Sequence, residues 1–232
     1  MKGKLYLIPT FLDIDSLEVI PKSTADKAIQ LKYIIAENIR TTRRYLKQLD
    51  KSVDIDAITF FEFNKKTEGK DIEGFFKPLL AGHDVGVFSE AGCPGIADPG
   101  QHLIKMAHYR NIQVVPMTGP SSIFLALMAS GMNGQNFRFH GYIPIEENKK
   151  KKYLQYMEGE AKQRGETQIF METPFRNNKM IGTILKTLDD KTSLCLAANI
   201  TGEQESIKTK TIAEWKKEVY DYHKQPCIFL IL

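Results

Sequence analysis

Through the first half of the chain, short apolar runs alternate with helix-like segments, and no other feature restricts the fold as strongly. Leu5 to Pro9, Tyr33 to Glu37, Ala57 to Phe61, Val85 to Ser89 and Gln113 to Val115 read as strands. Between them lie helical stretches: Thr24 to Lys32, about Thr41 to Leu49, Ile72 to Leu80 with Gly82 as its stop, and Gln101 to Tyr109. Strands separated by helices pair in parallel, so the pattern predicts βαβ units, an α/β domain with a mainly parallel sheet and helices on its faces.

After Pro116 the pattern changes. Thr118-Gly119-Pro120-Ser121-Ser122 is a turn that opens an apolar helix through Met128, with Ser121 or Ser122 in its first turn. Phe137 to His140, Thr167 to Met171, Leu194 to Ala198, Glu205 to Thr211 and Cys227 to Leu232 read as strands. Lys149 to Arg164, about Asn177 to Leu188, and Ile212 to Tyr222 read as helices. Glu205 to Thr211 alternates like an antiparallel strand, so the second half predicts a mixed sheet with helices. Two α/β domains are expected, residues 1–116 and 117–232.

Composition excludes several classes. With 42% apolar and 26% charged residues the chain has the makings of a core and is not a disordered sequence. No apolar run approaches the roughly 20 residues that span a bilayer, and the start through Pro9 lacks the features of a secretory signal. Cys93, Cys195 and Cys227 form no CxxC pair, which argues against a disulfide framework and against a zinc cage. A cytoplasmic protein without metal or membrane attachment is expected. The net charge of +4 does not by itself identify a nucleic-acid partner. Arg40, Arg43, Arg44 and Lys47 share one helical face, however, and Lys149 to Lys152 form a second basic cluster. Each reads as a solvated helix face; the first is also a stripe able to follow an RNA backbone.

The stretch Val85 to Gly100 carries the most chemistry. A buried strand runs into Glu90-Ala91-Gly92-Cys93-Pro94-Gly95-Ile96-Ala97-Asp98-Pro99-Gly100, a loop with three glycines and two prolines. At the carboxyl end of a parallel strand such a loop lies where open α/β sheets bind ligands. Glycine allows close approach of the backbone to a ligand, and proline reduces the entropy lost on binding. Neither GxGxxG after the first strand nor GxxxxGK[ST] is present, so the usual nucleotide motifs do not account for the loop.

Ser89 to Gly100 resembles the SDAGTPxISDPG signature of the ribosomal RNA branch of the tetrapyrrole (corrin and porphyrin) methylase family. Four more blocks agree in order. Val114 to Ser122 is similar to its VVPxPGPSA, Phe137 to Pro144 to its FxFxGFLP, Glu172 to Arg176 to its ESPHR, and Glu37 to Arg43 to its EDTRHTR. The resemblance implies a two-domain tetrapyrrole-methylase fold, usually a homodimer, with S-adenosylmethionine in the cleft between the domains. It places the donor against Pro9, Thr10, Ser89, Glu90, Ala91, Gly92, Cys93, Pro94, Gly95, Ser121, Ser122, Ile123 and Met171. It makes Glu37 a candidate for acid/base or substrate-orienting work, unless Glu37 is a strand-end carboxylate pairing with Arg40. Arg40 and Arg43 would face phosphate or hydroxyl groups of the acceptor, and Arg176 would add to that surface.

The departures lie mostly on the acceptor side. The family's glycine-bearing turn after the first strand is here Thr10-Phe11-Leu12-Asp13-Ile14-Asp15. Asn38 replaces an aspartate, Glu90 another, Cys93 a threonine, and Phe175 a histidine. The expected activity is 2′-O-methylation of small-subunit ribosomal RNA. A corrin or porphyrin methylase and a catalytically weakened RNA-binding paralogue are the competing readings.

Overall fold

The computed structural model describes residues 1–63, 67, 69–98 and 100–232, with backbone alone at 69–71. The chain divides into two compact units, Met1–Ser121 and Ser122–Leu232. The break falls after Ser121 rather than after 116 because the intervening residues stay attached to the first unit. Met117 N–H donates to Leu7 O at 3.0 Å, and the Thr24 hydroxyl donates to Thr118 O at 2.7 Å.

The first unit is a five-stranded sheet, with β1 (Leu5–Ile8), β2 (Tyr33–Ala36), β3 (Thr59–Glu62), β4 (Val85–Phe88) and β5 (Val114–Pro116) in the order β3-β2-β4-β1-β5. Every pairing is parallel. Side chains alternate between two cores, one per face. Leu5, Ile35, Val85 and Val87 pack with Phe75, Phe76, Leu79 and Leu103. Tyr6, Ile8, Ile34, Ala36 and Phe88 pack with Ala28, Leu31, Tyr45 and Leu46. Helices α1 (Lys22–Gln30) and α2 (Ile39–Leu49) therefore cover one face; α3 (Gly69–Phe75), α4 (Lys77–Leu80) and α5 (Gln101–Tyr109) supply the other. The helix expected over 72–80 is two helices broken at Phe76. Pro78, in the first turn of α4, has no N–H to continue the preceding ladder.

The second unit is the expected mixed sheet. Its strands are β6 (Phe137–Tyr142), β7 (Thr167–Met171), β8 (Ser193–Ala198), β9 (Ser206–Thr211) and β10 (Cys227–Ile231), in the order β6-β7-β10-β8-β9. Only β6 and β7 run parallel; β10, fully buried, is antiparallel to both neighbours. Phe170 and Phe229 oppose each other in register and stack at 5.1 Å. Helices α6 (Ser122–Ser130), α7 (Glu147–Arg164) and α8 (Asn177–Thr187) are its longer helices.

The helix expected over 212–222 is only α9, Ile212–Trp215. Thr211 and Glu214 close a capping box at its start, and the Trp215 indole donates to Leu194 O at 2.8 Å. A longer helix would carry Tyr222 onward; instead the chain turns, leaving Val219 exposed and returning Tyr222 to the core. Trp215 is the sole tryptophan, and it is buried. Replacing it with Phe removes the indole bond and part of the core volume, so Trp215→Phe is expected to cost roughly 1–3 kcal/mol. Urea unfolding followed by far-ultraviolet circular dichroism measures this; a loss below about 0.5 kcal/mol, less than one ordinary hydrogen bond, would contradict the packing described.

Candidate active site

The register of the parallel sheet sets the site's floor. Ala36 lies opposite Phe88, and Phe88 opposite Ile8. The next residues are Glu37, Ser89 and Pro9, so three expected site positions leave the sheet side by side at its carboxyl edge. From β1 the chain crosses to β2, and from β4 it crosses the other way to β5. The loops after β1 and β4 thus part at a topological switch point, where open α/β sheets bind ligands.

These two loops are joined by backbone. Thr10 N–H donates to Gly92 O at 3.0 Å, and Gly92 N–H donates to Thr10 O at 3.2 Å. The Ser89 hydroxyl donates to Gly92 O at 2.6 Å, and the Thr10 hydroxyl to Ser89 O at 3.2 Å. Gly92 has φ +71°, the left-handed region that disfavours a side chain. A third segment packs beside them. A β-carbon on Gly119 would overlap the Pro9 ring, and the Cys93 thiol lies 3.5 Å from Pro120 O, next to Ser121. Asp98 Oδ1 accepts from Gly100 N–H at 2.7 Å and Gly95 N–H at 3.4 Å, tying the loop to the start of α5. Pro99 lies outside the described residues. Glu90 and Ala91 are exposed at the tip, Gly92 and Pro94 are buried, and Cys93 and Gly95 lie between. The structure therefore brings Pro9, Thr10, Ser89, Gly92 and Cys93 together, beside Ser121.

Helix α2 supplies the wall. Thr42, Tyr45 and Leu46 are buried, whereas Arg40, Arg43, Arg44 and Lys47 are exposed on the opposite face. Tyr45 donates to Pro9 O at 3.2 Å, and burial pushes its phenol well above the ordinary range. Arg43 lies over the Phe60 ring at 5.0 Å. Asn38 is the N-cap: its Oδ1 accepts from Arg40 N–H at 3.0 Å and Thr41 N–H at 3.4 Å. The Asn-for-Asp departure therefore preserves a capping acceptor. Glu90 Oε1 accepts from the Thr41 hydroxyl at 2.6 Å, linking the loop to α2. Glu37 shares a small pocket with Asp98, Phe63, Val87 and Phe88. Glu37, Glu90 and Asp98 make this carboxyl edge acidic beneath a basic outer helix face.

The turn after β1 shows how a missing glycine is accommodated. Phe11 packs edge-on against Tyr45 at 5.2 Å, and Leu12 abuts Gly92. Asp13 closes the turn, accepting from Asp15 N–H at 3.0 Å.

In the second unit, Ser122 opens α6, Ile123 is buried in its first turn, and Met171 ends β7 opposite Ile228. Sequence reasoning gave Glu172 no role of its own. Its side chain is 2% exposed, and Oε1 accepts from Thr173 N–H at 2.7 Å and from Arg176 at 2.9 and 2.6 Å. Its Oε2 is buried without a hydrogen-bond partner among the described residues. His140 is also engaged: Nε2 meets Gln168 Oε1 at 2.7 Å and Nδ1 meets the Tyr153 hydroxyl at 3.0 Å. Because Gln168 Nε2 already donates to Glu166, its Oε1 accepts, which makes Nε2 the protonated nitrogen. Burial lowers the His140 pKa and favours this neutral form. Among the described residues no group of histidine, cysteine and carboxylate side chains could hold a metal, and no helix is long and apolar enough to cross a membrane.

With the switch-point loop and its partners in place, the comparisons converge. The family model for tetrapyrrole (corrin/porphyrin) methylases matches residues 26–216. The chain belongs to that family and is a methyltransferase. Ribosomal RNA small subunit methyltransferase I of Buchnera aphidicola (subspecies Schizaphis graminum) is 30% identical, across 99% of this chain and 78% of that protein. Its namesake in Bacillus subtilis is 30% identical, across 93% of this chain and 71% of that protein. The Escherichia coli O157:H7 protein of that name is 27% identical, across 99% and 78%. The crystal structure of the methyltransferase CobJ matches with a TM-score of 0.66 at 12% identity, covering 99% of this chain and 93% of that one, and bears out the expected fold.

Two measurements probe this geometry. Asn38→Ala removes the cap of α2 and is expected to cost about 1 kcal/mol, whereas Asn38→Asp changes stability by less than about 0.5 kcal/mol. Equal stability of all three proteins in urea would remove the capping role. Burial raises the pKa of all three thiols, but Cys195 and Cys227 are buried while Cys93 is only half-buried. A native protein treated with a chromogenic disulfide should therefore titrate one thiol, absent in Cys93→Ser. Rapid reaction of all three would contradict the packing of β8 and β10.

Proposed function

We propose that this methyltransferase uses S-adenosylmethionine to methylate small-subunit ribosomal RNA on a ribose 2′-hydroxyl. The observation that carries the donor assignment is the Thr10–Gly92 bridge, which presents the Glu90 carboxylate and exposed Ala91 at the mouth of a switch-point loop. The fit is chemical as well as geometric. The donor is a cation, and Glu37, Glu90 and Asp98 give this edge the opposite sign. It supplies a methyl group on positively charged sulfur, which departs as a neutral thioether without help from a metal.

The chain's own residues do the rest. Pro9, Thr10, Ser89 to Gly95 and Ser121 bind the donor. Glu37 orients the acceptor hydroxyl and takes its proton as the carbon–oxygen bond forms. Arg40 and Arg43, exposed on α2, hold phosphates of the acceptor strand. Much of the acceleration then comes from holding donor and acceptor in line. An RNA acceptor is favoured over a tetrapyrrole because the relatives with about 30% identity across most of the chain carry a ribosomal RNA methyltransferase name. We further propose a cytoplasmic homodimer; the three free thiols suit a reducing compartment.

Calorimetric titration with S-adenosylmethionine is expected to give micromolar binding by the parent and none by Glu90→Arg. The donor should also slow modification of Cys93. Labelled donor should pass its methyl to small-subunit RNA and yield an alkali-resistant dinucleotide, the mark of a blocked 2′-hydroxyl. Arg40→Ala with Arg43→Ala should leave donor affinity unchanged and flatten the salt dependence of RNA binding by roughly 0.7 per contact. A folded parent that binds no donor overturns the enzyme reading. Label on a base overturns the ribose assignment, and a porphyrinoid accepted in place of RNA overturns the substrate.

A further inference from the structure

One surface of the second unit carries an aromatic side chain, Phe175, that has no role in the assignments above. Between β7 and α8, Pro174–Arg176 form a single 3₁₀ turn that leaves the Phe175 side chain 69% exposed. A lone exposed apolar side chain is ordinary. Its surroundings are not: Arg176 follows it, the His223 ring meets it nearly perpendicular at 6.0 Å, and Lys224 Nζ lies 6.0 Å from its centroid. That distance is the outer limit of a cation–π contact, so the ammonium remains available to another partner.

The platform is fixed to the fold. Pro174 restricts the backbone at the turn, and Arg176 N–H donates to Thr173 O at 2.9 Å. Lys224 has φ +61°, unusual for a residue with a side chain, and its N–H donates to Pro174 O at 3.0 Å. Fully buried Asn177 donates to Tyr222 O at 3.2 Å and Gln225 O at 2.6 Å. Asn178 donates to Asp221 at 2.8 Å and accepts from Tyr222 N–H at 2.8 Å. The nearby carboxylates are already engaged: Asp221 by Asn178 and His223 N–H, Glu172 by Arg176. What faces solvent is an aromatic ring with the Lys224 ammonium and an imidazole beside it, held rigid by residues distant in sequence.

We propose that Phe175 is a stacking platform for an unpaired base of the RNA acceptor, with Lys224 holding an adjoining phosphate. The inference rests on the RNA reading above and adds the second unit's contact with that RNA. An aromatic face beside cations on a rigid backbone is the arrangement by which single-stranded nucleic acids are bound without reading their sequence.

The test uses the full chain and a short, unstructured, fluorescein-labelled RNA read by anisotropy. Phe175→Ala should weaken binding at least about fivefold, while Phe175→Tyr stays within about twofold because the ring is retained. Lys224→Ala should reduce the salt slope by about 0.7, and Phe175→Ala should leave it unchanged. Melting temperature and donor affinity should be unaltered in all three, which separates the platform from a merely structural role. A 5-iodouridine RNA should photocrosslink at Phe175. Unchanged affinity in Phe175→Ala, with the parent binding RNA, overturns the platform and leaves the RNA reading standing. A parent that binds the donor but no RNA overturns both. Loss of RNA binding that Tyr does not restore, without a crosslink at Phe175, also overturns it.

Discussion

Two hydrogen bonds exchanged by Thr10 and Gly92 hold together the loops on which the site of the first unit depends. Parallel strands end with their last polar groups unpaired, and at a switch point the chain turns away in both directions. Without a crosslink, the loops after β1 and β4 would each be free to wander. The bridge makes them one object, and the Ser89 and Thr10 hydroxyls satisfy remaining carbonyls inside it. Gly92 belongs to this device because its positive φ turns the chain into the bridge. Gly119 belongs to it for another reason: its missing β-carbon lets the segment after β5 lie against Pro9. Three segments far apart in sequence become a rigid edge, and rigidity lowers the entropy lost when a ligand binds.

Charge is partitioned around that edge. Glu37, Glu90 and Asp98 lie at the carboxyl ends of the central strands, whereas Arg40, Arg43, Arg44 and Lys47 line the outer face of α2. With a Debye length near 8 Å at physiological ionic strength, each ligand feels mainly the charges closest to it. Under the proposed assignment a sulfonium cation is drawn to the acidic floor, and a polyanionic backbone to the basic helix. The Thr41–Glu90 hydrogen bond is where the two regions meet, because it ties the loop to the first turn of α2. A net charge of +4 conceals this arrangement completely.

Most of the architecture was legible because hydrophobic period and glycine–proline punctuation are local signals. The five apolar runs of the first half became five parallel strands, and the alternating Glu205 to Thr211 stretch became an antiparallel edge strand. The errors lie where tertiary partners override local pattern. Pro78 splits a helix whose apolar spacing was otherwise continuous, and the chain after Trp215 leaves helical geometry so that Tyr222 can join the core. In the site, motif order located the loop, but nothing in the sequence could show that Thr10 pairs with Gly92 or that Glu172 is buried under Arg176. Those facts come from strand register and from chain segments that meet only in the folded unit.

The same distinction explains the departures from the family pattern. Asn38 retains the capping oxygen of an aspartate, so α2 starts where it must although a charge is gone. Phe11 and Leu12 occupy the turn that a glycine takes in relatives, and they do so by packing on Tyr45 and Gly92 rather than by adopting a special backbone. Cys93 keeps a small polarisable atom against Pro120 O where a hydroxyl would donate. Asn38 and Cys93 thus each keep a polar contact, whereas Phe11 and Leu12 replace a conformational solution by a packing one. The rigid edge proposed to hold the methyl donor therefore stands on backbone bonds and packing that these residues supply. Phe175 obeys no such constraint: it is exposed and supports no part of that framework.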